Sequence, residues 1–174
     1  MDRDKQILSA RAKETAGKIT DYSGWEPGFQ TVIEFTLWPE KYAVEESYVG
    51  EVFTLNELTP IPGTPPFIMG VYNLRGRIVS VVNLKMFLGI HEKGLTELNK
   101  VILLQLEDGF EFGIVVDRIE GNSWIKHENL SASPLTLSGP ESEFISGIRS
   151  DGLIVLNAFK LLKNAQLIVN QKIT

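Results

Sequence analysis

GVYNLRGRIVSVVNL, residues Gly70 to Leu84, places a polar Asn-Leu-Arg-Gly turn between two strongly β-favouring apolar runs. That pattern reads strand, turn, strand. Asn73 suits the first position of a type I turn, and Gly76 the fourth, where glycine takes the left-handed conformation of a hairpin bulge. Arg75 then sits at an exposed tip. The returning run, Ile78 to Val82, is interrupted only by Ser80 and is apolar on both faces, as in a strand covered on two sides.

Outward from this hairpin, short strand-like runs recur between turn signals. Period-two alternation begins near Phe29, with Ile33, Phe35 and Leu37 facing one way and Val32, Glu34 and Thr36 the other. Asp108-Gly109 separates Val101–Leu106 from Glu111–Val116, and Asp151-Gly152 precedes Leu153–Leu156. Helical spacing within this part is confined to short pieces, Leu84–Leu88 and Asn157–Lys163. The expectation is an all-β barrel or sandwich with short helices and no internal sequence repeat. Before it, residues 2–19 carry Ile7, Leu8, Ala12, Ala16 and Ile19 at loosely helical spacing, followed by the breaker-rich TDYSGWEPG. The boundary is placed near Pro27: residues 1–27 form an extension, either a helix or a frayed tail, and residues 28–174 form the domain.

The chain has 174 residues, enough for one domain or two small packed lobes, and 43% of them are hydrophobic. No apolar run reaches the length of a membrane-spanning helix, and MDRDKQ lacks the apolar core of a secretory signal. With no cysteine there are no disulfides or thiolate metal sites, and a cytoplasmic location is expected. The net charge of −5 argues against nucleic acid or an anionic membrane surface as partner.

The motifs of catalysis are missing. There is no glycine-rich phosphate loop, nucleophile elbow or dinucleotide fingerprint, so no cofactor and no enzyme activity are expected. His91 and His127 stand alone and read as solvated surface histidines rather than metal ligands. Glu45-Glu46 and the Glu141, Glu143 pair read as exposed charges. An oligonucleotide-binding barrel should interleave aromatic residues with Lys and Arg, a neighbourhood that Trp25, Trp38 and Trp124 lack. A small-molecule-binding β-barrel remains open, although dense Val, Ile and Leu argue for filled interiors.

The hairpin, with its Gly-Val-x-Asn-Leu-Arg-Gly order, resembles the signature of the CheW-type chemotaxis coupling family. FTLWPEKYAVEESYVGEVF resembles that family's opening strands, IPGTPPFIMG its proline-bearing lead into the hairpin, and FGIVVDRIEG its Gly-x-x-Val-Asp strand. Order and spacing agree over roughly Phe29 to Leu162. The resemblance implies two intimately packed, small five-stranded β-barrels. It implies a non-enzymatic adaptor in bacterial or archaeal chemotaxis, linking chemoreceptor cytoplasmic tips to a CheA-type histidine kinase at membrane-associated receptor arrays. A regulatory module of a divergent chemosensory system is the alternative within the same family.

The resemblance also assigns receptor-binding positions: Val49, Glu51, Gly70, Arg75, Val115 and Val116. A guanidinium can hold a carboxylate through two parallel hydrogen bonds, so Glu51 and Arg75 either present a receptor contact or simply tether the hairpin. Val49 lines an apolar groove or belongs to the core; Gly70 is either part of that groove or a point of close backbone packing. Val115 and Val116 point to opposite faces if they lie on a strand, so at most one lines the groove. Ser80 and Asn83 depart from the proline and aspartate common at these family positions. Ser80 restores a backbone donor, and Asn83 can still cap the following helix.

Overall fold

The computed structural model describes residues 27–90, 99–132 and 140–167. The segment expected to be helical (2–19), Trp25, His91 and the side chain of Glu141 lie outside the described residues. The chain runs β1 (Phe29–Leu37), β2 (Glu40–Glu45), β3 (Val49–Thr54), β4 (Ile68–Leu74), β5 (Arg77–Asn83), α1 (Leu84–Phe87), β6 (Lys100–Gln105), β7 (Glu111–Val116), β8 (Arg118–Lys126), β9 (Ile145–Ile148), β10 (Ile154–Leu156) and α2 (Ala158–Lys163).

These strands form two five-stranded sheets, ordered β8-β1-β2-β10-β9 and β3-β6-β7-β5-β4. The first gathers both ends of the domain and the second its middle, so the chain leaves one lobe at β2 and re-enters it at β8. Each sheet has the same ladder: a central antiparallel pair, an antiparallel strand on one side, and a hairpin joined in parallel on the other. In each, the hairpin leads into a short helix capped by asparagine. Asn83 Oδ1 accepts the Met86 amide at 3.2 Å, and Asn157 Oδ1 accepts the Lys160 amide at 3.0 Å. Such caps are worth about 1 kcal/mol each. One topology is thus used twice without a visible sequence repeat.

Alternation on β1 explains the packing. Ile33, Phe35 and Leu37 join Tyr42, Val82, Leu84, Ile102, Leu104, Ile114 and Leu156 in a core between the lobes, while Val32 turns into its own lobe with Ala43, Ile125, Leu153 and Val155. The other lobe is filled by Leu74, Val79 and Leu103 and by Val81, Val101 and Val115. Fully buried side chains of this kind contribute roughly 1.5–3 kcal/mol each by leaving water. β5 is buried from Val79 onward; Ile78 is half exposed. Ser80 pairs with Val71 in an unbroken stretch of the ladder, and the only irregularity of that pairing lies between Ile68 and Gly70.

Arg149, in the β9–β10 turn, ties the edges of the first sheet. Its guanidinium donates to both oxygens of Asp151 at 2.9 and 2.7 Å, to Glu34 on β1 at 2.9 Å, and to Ser123 Oγ on β8 at 3.0 Å. Hydrogen bonding from Arg149 lowers the Asp151 carboxyl from its ordinary 3.8 to about 2. A carboxyl depressed in the folded state contributes stability above its unfolded value and loses it as pH falls through the folded one. The folded state should therefore lose this contribution between about pH 4 and pH 2, modestly, since Asp151 is largely solvent-screened. Urea midpoints measured over that window should fall more steeply for the wild type than for Asp151→Asn; parallel curves would contradict the assignment.

Candidate functional site

The turn after β4 is tighter than a type I turn with a bulge. Leu74 pairs directly with Arg77, leaving a two-residue loop of Arg75 (φ 51°) and Gly76 (φ 84°). Positive φ at both positions marks a type I′ turn, whose twist matches that of the flanking strands. Asn73 Oδ1 accepts the Gly76 amide at 2.8 Å and closes the loop. Arg75 is the one non-glycine residue with positive φ among the described residues. An L-residue held there carries strain of about 1–2 kcal/mol, the kind of local cost that accumulates where function sets the residue type.

The arginine projects outward, its side chain 74% exposed, and its guanidinium pairs with the Glu51 carboxylate on β3. β3 and β4 are the two outer strands of their sheet, so this contact spans the seam where the sheet curls into a barrel-like lobe. On the same two strands, Phe53 of β3 stacks on Tyr72 of β4 with ring centroids 4.9 Å apart. The seam is therefore apolar inside and charged at its rim. Only one guanidinium nitrogen engages Glu51, so the geometry is not the two-point fork that the residue types permit.

The remaining expected positions are spread over three strands. Val49 opens β3, half-buried against the core between the lobes. Gly70 is buried on β4 with φ 145°, and a Cβ there would collide with the Thr59 carbonyl group, 2.9 Å from its carbon, and come within 3.2 Å of the Pro60 Cα. Its glycine is required by close backbone approach. Val115 and Val116 alternate as a strand demands: Val115 fills the β3–β7 lobe and Val116 the core between lobes, both shielded from solvent. The structure thus joins Glu51 to Arg75 in direct contact, keeps Val49 and Gly70 on the two seam strands, and leaves both valines inside.

His127 is half-exposed, its Nε2 beside Gln30 Oε1 and 3.2 Å from Glu45 Oε1. No group of His, Asp and Glu among the described residues is arranged to hold a metal ion. Two open clefts, of about 390 and 360 Å³, lie on the surface, one beside Tyr48, Leu106 and Phe159 and the other beside Gln30 and Glu45. Sequence reading missed three features: the Phe53–Tyr72 stack, the Arg149 network and the pairing of a buried Lys85 with a partly exposed Asp117. Of these only Asp117 carried a signal, as the last residue of the Val-Val-Asp motif.

A model of the CheW-like domain matches residues 31–166 of the chain. The protein belongs to the CheW-like family. It is 29% identical to the chemotaxis protein CheW of Treponema pallidum, over 78% of this chain and 84% of that protein. Identity to the Helicobacter pylori chemotaxis protein CheW is 26%, over 93% of each chain. It is also 30% identical to protein PilI of Pseudomonas aeruginosa, over 67% of this chain and 65% of that one. The crystal structure of the scaffolding protein TtCheW from Thermoanaerobacter tengcongensis superposes with a TM-score of 0.64 at 29% identity, covering 73% of this chain and 88% of the other. Within this family the protein is a chemotaxis scaffold, not an enzyme. No helix among the described residues is long and apolar enough to cross a membrane.

Proposed function

We propose that this scaffold couples the cytoplasmic tips of chemoreceptors to a CheA-type histidine kinase, at membrane-associated receptor arrays, with the β3–β4 seam as its receptor surface. The observation that carries this reading is Arg75: a strained, exposed arginine held by Glu51 over an aromatic seam, in a chain of the CheW-like family. A receptor tip is a helical hairpin, and helices dock on apolar grooves with charged rims through spaced anchors. Val49, Glu51 and Arg75 supply the surface, Gly70 and Val115 shape it from below, and Val116 packs away from it in the core between the lobes. The filled interiors of both lobes favour this reading over a small-molecule barrel.

A receptor signal passes through such an adaptor only if the adaptor's contacts differ between receptor states, since equal binding to both shifts nothing. Co-sedimentation with receptor-bearing vesicles tests the reading. The folded protein should pellet with the vesicles and separately be retained by the kinase; retention by neither would sink it. Exchange at Glu51 tests the surface itself. Glu51→Arg, which sets two like charges together, should weaken vesicle binding well beyond Glu51→Gln; equal losses would remove the pairing from the account. The departures at Ser80 and Asn83 support the alternative that the receptors belong to a divergent chemosensory system.

A further inference from the structure

Lys85 follows the cap of α1 and is 5% exposed, yet its ammonium lies 2.6 Å from Asp117 Oδ2. Among the described residues that ammonium makes no hydrogen bond, so its contact with Asp117 is an ion pair alone. Asp117 is the single residue between β7 and β8, where the chain crosses from one lobe to the other. Its carboxylate also accepts the Trp38 amide at 2.7 Å, and its own amide donates to the Thr36 carbonyl at 3.0 Å. The crossing residue is thereby hydrogen-bonded to the end of β1 in one lobe and ion-paired with α1 in the other.

Burying a lysine is expensive, and one ion pair inside a protein seldom repays its desolvation. The core between the lobes already holds them together through Phe35, Leu37, Val82, Leu84 and Ile114. Apolar contact is non-directional, however, and two packed sheets can rotate by small angles at little cost, whereas an ammonium paired with a carboxylate that is itself hydrogen-bonded to the end of β1 holds one point of each lobe at a fixed separation. We propose that the Lys85–Asp117 pair is a positioning device that sets the angle between the two lobes and hence the relation between surfaces on each. The pair's link to coupling rests on the adaptor reading above; its effect on lobe angle does not.

A double-mutant cycle on the full chain tests this. Asp117→Asn strands the buried ammonium and should lower the melting temperature by on the order of 10 °C. Lys85→Met together with Asp117→Asn removes both charges, keeps the lysine stem's volume, and should recover most of that loss. Residual dipolar couplings measured on the free protein should then show the lobes rotated from their wild-type relation in the recovered double variant. Kinase stimulation by receptor should drop roughly tenfold, a typical coupling loss, with receptor and kinase still bound separately. Additive melting shifts would overturn the proposal, as would an unchanged lobe relation in the double variant or a rotation that leaves stimulation intact. A wild type that binds neither partner would refute the adaptor reading instead, and the dipolar couplings would still decide the lobe angle.

Discussion

Gly70→Ala will destabilise the protein by about 3 kcal/mol or more, the combined order of backbone strain and overpacking. At φ 145° an L-residue is strained wherever it is placed, and here the added carbon also runs into backbone. Thr59 and Val71 exchange two backbone hydrogen bonds, each 2.9 Å, and so pin the incoming segment against β4 beside Gly70. Flexible side chains could move aside; the Thr59 carbonyl and Pro60 Cα can do so only by breaking that bridge. A urea titration checks this, with a wild-type-like midpoint as the contrary result. Receptor-binding defects at Gly70 then follow from loss of the seam. A Gly70→Ala protein of full stability that fails to bind receptor would instead mark the position as a direct contact.

Arg75 should behave in the opposite way. Arg75→Ala removes a largely exposed ion pair, worth under about 1 kcal/mol, so the fold should hold. Arg75→Gly goes further, since glycine takes positive φ without penalty, and the variant should be as stable as the wild type or more so. Both variants should lose most receptor-stimulated kinase activity. Gain of stability with loss of coupling separates a functional arginine from a structural tether, because a tether's removal would lower both. Wild-type stimulation with Arg75→Gly would leave the Glu51–Arg75 pair a structural detail.

The hairpin was legible because alternation and a glycine turn are local signals. Its turn type was not: a bulged type I turn and a type I′ turn both end on Gly76, and only the pairing of Leu74 with Arg77 distinguishes them. The two five-stranded lobes came from family likeness, since the parallel pairings of β5 with β7 and β2 with β10 join residues distant in sequence. Val115 and Val116 could be assigned to opposite faces from strand period, but not that both faces are covered. Lys85 was the least legible. A lysine in the first turn of a helix reads as a solvated charge, and its burial depends on Asp117, which reaches it only after the chain has crossed between lobes.

An adaptor must bridge two partners at once. Receptor-bearing vesicles, kinase and this protein, mixed and pelleted together, address it most directly. Kinase should enter the pellet in a receptor-controlled, active form when the protein is present and should drop sharply when it is omitted. Equal kinase recovery and activity with and without the folded protein would contradict the adaptor reading.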